Sequence, residues 1–130
     1  MSHHRHPVMA DGAPPPAGPY SHAVESNGLL FCSGQVPLDP GTGKLVEGSI
    51  GDQARRCLEN LKLVCGARGA QLSDAVRMAI YVTDISTFAQ VNEAYGEYFG
   101  EGAPARTTIG VAALPGGAQI EMDAIVAMPD

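Results

Sequence analysis

DQARRCLENLKLVCGARGAQLSDAVRMAIYVT, residues 52–83, changes its hydrophobic period midway. In its first half Ala54, Cys57, Leu58, Leu61, Val64 and Cys65 recur every three or four residues, one apolar stripe of a helix. Asp52 near the start suits the helix dipole, and Gly66 with Gly69 supplies the stop. Beyond them Val76, Met78, Ile80 and Val82 alternate with Arg77, Ala79, Tyr81 and Thr83, which predicts a strand with one face on a core. Toward the N-terminus, Pro37 to Gly43 is a turn and Leu29 to Gly34 a short strand. Residues 7–19 are rich in Pro, Gly and Ala around Pro14-Pro15-Pro16, so residues 1–13 are expected to be a flexible arm and residues 14–130 a single domain. Toward the C-terminus, Asp84 or Ser86 caps a second helix with the stripe Phe88, Val91, Ala94 or Tyr95, and Tyr98 or Phe99, stopped at Gly100. Thr107–Ala113 and Ala118–Ala127 read as strands joined by the turn Leu114-Pro115-Gly116-Gly117. The pattern predicts an α+β domain: one mixed sheet with two helices packed on one face.

Composition bounds the function. One hundred and thirty residues suffice for one domain, and 45% hydrophobic residues suffice for a full core. The net charge of −6 argues against a binder of nucleic acid, which needs a basic face. Charged residues are 17% of the chain, against roughly 25% in an average soluble domain. The second sheet face has no third layer to cover it, and burial against copies of the same chain accounts for both observations. No apolar run is long enough for a transmembrane helix. The start, Met1-Ser2-His3-His4-Arg5-His6-Pro7, lacks the apolar region of a secretory signal and reads as a frayed tail, so a cytoplasmic location is expected. Cys32, Cys57 and Cys65 have no C-x-x-C spacing, so neither a disulfide framework nor a zinc ligand set is expected.

Phosphate-loop, nucleophile-elbow and zinc-protease motifs are absent. A Ser-His-Asp triad would need His22, the one histidine inside the domain. The C-terminal hairpin is the more informative element. If Ala113 pairs with Ala118, then Arg106 lies opposite Ile125 and Glu121 opposite Gly110. Arg106, Thr108, Gly110 and Ala112 would then share a face with Gln119, Glu121 and Asp123, and Thr107, Ile109 and Val111 would face the helices. Arg106 and Glu121 would sit about 13 Å apart on the uncovered face. Such a pair is either a structural feature of an exposed edge or a site, with Arg106 clamping a carboxylate and Glu121 orienting water or moving a proton.

Gly18-Pro19-Tyr20-Ser21, Ser33-Gly34-Gln35, Asp39-Pro40-Gly41-Thr42-Gly43, Leu58-Glu59-Asn60-Leu61, Val91-Asn92, Pro104-Ala105-Arg106-Thr107 and Ile120-Glu121-Met122 together resemble the RidA (YjgF) family of reactive-intermediate deaminases. The resemblance covers about residues 14–127. It implies a chorismate-mutase-like fold, a homotrimer with clefts between subunits, and hydrolysis of 2-imino acids and 2-aminoacrylate to 2-keto acids and ammonia without cofactor or metal. Carried over by position, Arg106 binds the substrate carboxylate, and Glu121 holds the attacking water or assists departure of ammonia. Backbone amides near Gly34 and Thr108 touch the substrate, and Tyr20, Ser33 and Asn92 line the cleft. Thr108 stands where many members have Cys, and His22 where Gln is common. Two other readings are a non-catalytic binder of 2-keto acids and an endoribonuclease.

Overall fold

The computed structural model describes residues 4–130. Its strands are β1 (His6–Val8), β2 (Ala23–Ser26), β3 (Leu29–Gln35), β4 (Ala75–Val82), β5 (Ala105–Gly110) and β6 (Ile120–Ala127); its helices are α1 (Ile50–Gly66) and α2 (Phe88–Gly96). They form the expected α+β architecture, a mixed six-stranded sheet in the order β1-β2-β3-β6-β4-β5 with two helices. No helix among the described residues is long and apolar enough to cross a membrane.

The helix α1 follows its stripe: Ala54, Cys57, Leu58, Leu61, Val64 and Cys65 are fully buried. Ser49 caps it, its side chain accepting from Asp52 N, while Asp52 occupies the first turn. Beneath lie Leu30, Met78, Ile80, Ile120, Met122 and Val126, also fully buried. Each such side chain contributes roughly 1.5–3 kcal/mol of hydrophobic stabilisation. Asn60 on α1 is polar yet fully buried; its Nδ2 donates to Leu38 O at 2.9 Å and Val36 O at 3.3 Å, fixing the loop that leaves β3.

Three expectations need correction. The C-terminal hairpin does not form: β4 lies between β5 and β6, parallel to the first and antiparallel to the second. β4 and β6 carry the fully buried Met78, Ile80, Ile120, Met122 and Val126, so they take the inner positions, whereas all of β5 is at least partly exposed and takes the edge. The β4–α2–β5 crossover delivers β5 beside β4, and the link to β6 then passes around the end of β4. There Val111 N donates to Val82 O and Thr83 N to Gln119 O. Second, Val76 is 46% exposed, because the β4–β6 register shifts between Ala75 and Arg77. Third, the described part of the arm is seated on the domain. β1 pairs with β2, and Val8, Ala10 and Ala13 are buried; residues 1–3 lie outside the described residues.

One sheet face packs on the helices. The other carries Phe31 and Ile109, both more than 40% exposed, with Tyr81, Glu121, Asp123 and Ile125 half-buried among them. Among the described residues no further layer of secondary structure lies over it.

Candidate functional site

Register decides which face each candidate occupies. Arg106 pairs with Met78, Thr108 with Ile80 and Gly110 with Val82, and those β4 residues are buried under the helices. Arg106, Thr108 and Gly110 therefore belong to the helix face at the β5 edge. Glu121 pairs with Tyr81 and Asp123 with Ala79, one residue out of phase, and so belong to the open face. The two charged candidates lie on opposite faces of the sheet, not on one. The shared face inferred from the hairpin fails because inserting β4 changes the parity that relates β5 to β6.

On the helix face, Arg106 is held by α2. Its Nη2 donates to Asn92 Oδ1 at 2.6 Å. Its Cζ lies 4.8 Å from the ring centroid of Tyr95 and 5.4 Å from that of Phe88. Phe88, Asn92 and Tyr95 are spaced i, i+4, i+7, the spacing that puts three side chains on one helix face. Planar guanidinium between aromatic rings is favourable, and the hydrogen bond fixes its rotation. Among the described residues no carboxylate of the chain forms a salt bridge with Arg106. Two buried hydroxyl oxygens, Tyr95 Oη on α2 and Thr108 Oγ1 on β5, have no hydrogen-bond partner among the described residues.

On the open face, Glu121 lies against Gly34. A methyl group at Gly34 would fall 2.9 Å from Glu121 Cδ, so only glycine leaves the carboxylate its place. Burial, then the like charge of Asp123, pushes the Glu121 carboxyl above its ordinary range. Asp123 itself accepts from Tyr81 Oη at 2.9 Å. Ser33 Oγ donates to Ser21 O at 2.7 Å, and Tyr20 Oη accepts from Ala17 N at 3.1 Å. The Tyr20 ring is 47% exposed.

The sequence candidates thus fall into two groups: Arg106, Asn92 and Thr108 in one, and Glu121, Gly34, Ser33 and Tyr20 in the other. Asn92, expected to line a cleft, turns its side-chain oxygen to Arg106. Phe88 and Tyr95 were read as core-stripe residues, and their part in holding Arg106 was missed. Their i, i+4, i+7 spacing with Asn92 was the available signal, but it points to Arg106 only once α2 is known to lie over β5.

Other features offer less chemistry. A cleft of about 480 Å³ lies on the helix layer among Lys62, Gln71, Ser73, Glu97 and Tyr98. Its polar groups are already paired, Glu97 with Arg55, and both Lys62 and Tyr98 Oη with Glu59. Cys32, Cys57 and Cys65 are buried and free, and burial keeps the Cys57 thiol in its neutral form. Among the described residues no cluster of three or more His, Cys, Asp or Glu could hold a metal.

Comparison with known proteins matches the same span. A family model described as Endoribonuclease L-PSP matches residues 10–128. A RutC family protein of Pyrococcus horikoshii is 45% identical over 118 residues, 91% of this chain and 94% of that protein. The crystal structure of the yeast protein YEO7 superposes with a TM-score of 0.93 at 44% identity, covering 96% of this chain and 99% of that one. The crystal structure of E. coli TdcF with bound serine gives a TM-score of 0.89 at 35% identity, covering 95% and 99%.

Proposed function

We propose that this chain, which belongs to the Endoribonuclease L-PSP (RidA/YjgF) family, hydrolyses 2-imino acids and 2-aminoacrylate to 2-keto acids and ammonia. The site is assembled between copies of the chain in a homotrimer: one copy gives Arg106 with Asn92 and Thr108, a neighbour gives Glu121 with Gly34, Ser33 and Tyr20. The observation that carries this reading is Arg106, a guanidinium fixed by Asn92 and two rings and forming no salt bridge to a carboxylate among the described residues. Such a group is a preformed clamp for a planar carboxylate. The E. coli relative with bound serine supports a small amino-acid-like ligand.

A protonated imine is already electrophilic, so the protein has to orient it, place a water and move protons. Arg106 holds the α-carboxylate. Glu121, its pKa raised by burial, takes a proton from water as the water oxygen bonds to the imine carbon. The adduct carries hydroxyl and amine on one carbon. The Glu121 carboxyl returns its proton to nitrogen, and as the C–N bond breaks the carboxylate takes the hydroxyl proton, releasing ammonia and leaving the keto group.

The family description names an endoribonuclease. A net charge of −6 provides no basic track for phosphates. Adding the protein to a threonine dehydratase reaction tests the proposal: release of 2-ketobutyrate is expected to accelerate, and Arg106→Ala to remove the gain. Equal acceleration by the variant would sink the deaminase reading. RNA cleavage by nuclease-free protein would support the endoribonuclease instead.

A further inference from the structure

His22 is 3% exposed and has no part in the chemistry above. Its Nδ1 accepts from Ala10 N at 2.8 Å, and its Nε2 donates to Pro14 O at 2.7 Å. One ring nitrogen faces a donor and the other an acceptor, so both bonds require the neutral imidazole with its proton on Nε2. The side chain thereby ties the arm, residues 10–14, to the start of β2. The backbone of His22 reaches the other way. Its carbonyl accepts from Ser33 N at 2.9 Å, and the neighbouring Ser21 carbonyl accepts from Ser33 Oγ. The arm then holds Tyr20 through Ala17 N. His22, Pro14, Tyr20 and Gly34 line one small recess. Ser33 is thus fixed by the His22 backbone and Tyr20 by the arm that the His22 side chain ties, while Gly34 lines the same recess.

We propose that His22 is a positioning residue that locks the wall facing Glu121 by clamping the N-terminal arm beneath it. The proposal rests on the deaminase reading and on the place of Glu121 against Gly34 within it. His22→Ala leaves Ala10 N and Pro14 O without their side-chain partners. His22→Gln returns one donor and one acceptor in a single amide.

The test is a set of kcat and KM pH profiles for the full chain and both variants, taken where circular dichroism shows each fully folded. His22→Ala is expected to lower kcat about tenfold while KM changes by less than about twofold, because the Arg106 clamp is untouched. It is also expected to move the acid limb of kcat to lower pH, since a loosened wall admits water to Glu121 and weakens the burial that raises its pKa. Asp123 and Tyr81, the titratable groups beside Glu121 on the open face, stay as they are. A merely structural defect reduces the amount of active protein and leaves the limb in place. His22→Gln is expected to restore both quantities in large part. An unmoved limb with unchanged kcat in His22→Ala overturns the proposal. Amide hydrogen exchange at Ala10 and Ser33 reads the tie without activity. Faster exchange in His22→Ala than in His22→Gln supports it, and equal exchange overturns it. Absence of deaminase activity in the unmodified chain sinks the functional reading instead.

Discussion

Gly34→Ala isolates the role of Glu121. Gly34 is not among the glycines with positive φ, so alanine there causes no backbone strain. The added methyl meets the Glu121 side chain first, with Cδ at 2.9 Å and Cγ at 3.2 Å. Ordinary contact begins at 3.4 Å, so Cδ must retreat by about 0.5 Å at the least. The carboxylate beyond it swings further. Misplacing a reacting group by about 1 Å can cost on the order of 100-fold in rate. Loss of kcat by 10- to 100-fold, about 1.4–2.7 kcal/mol of barrier, is therefore expected. Glu121 is only half-buried and can move, so the melting temperature should hardly change. The assay is 2-ketobutyrate release in the coupled dehydratase reaction, with calorimetry on the same samples. Gly34→Ala with kcat within about twofold of the unmodified chain would refute the reasoning, because a displaced Glu121 would then not matter.

Other substitutions probe the remaining parts. Asn92→Ala removes the 2.6 Å bond to Arg106, and hydrogen bonds to charged groups are worth about 1.5–3 kcal/mol; KM for the imino acid should rise at least tenfold, measured by initial rates. Glu121→Gln should abolish turnover and raise the melting temperature at pH 7. The sign follows from the raised folded pKa of Glu121: ionising it costs stability that is retained at low pH and lost as pH rises through that value. The gain in melting temperature should vanish below about pH 4, where the carboxyl is neutral in both folded and unfolded chains. By the same shift, kcat of the unmodified chain should fall on acidification at a pH above the ordinary carboxylate range.

The parts of the fold visible in the sequence were those set by local period. The α1 stripe is buried residue for residue, and Ile120, Met122, Ala124 and Val126 alternate inward along β6 as read. Strand order was hidden because it is a non-local property. The turn at Leu114–Gly117 looks like a hairpin, and only the competition of β4 for the sheet interior prevents it. That one error carried through to the site. Arg106 and Glu121 stand out in the sequence as candidates, but the parity of β5 against β6 could not be read without knowing that β4 intervenes. The tight Gly34–Glu121 approach and the His22 clamp join segments 87 and 8 to 12 residues apart, with no periodic signature.

The central claim is that a complete site needs Arg106 from one copy and Glu121 from another. Mixing Arg106→Ala with Glu121→Gln, each inactive alone, and refolding them together at equal ratio tests it most directly. In a random ring of copies, a site is intact when the Arg donor and the Glu donor are both unmodified at the relevant position, which holds for about one site in four. Activity is expected to return to about a quarter of the unmodified level. No recovery from assemblies shown to contain both variants would contradict it.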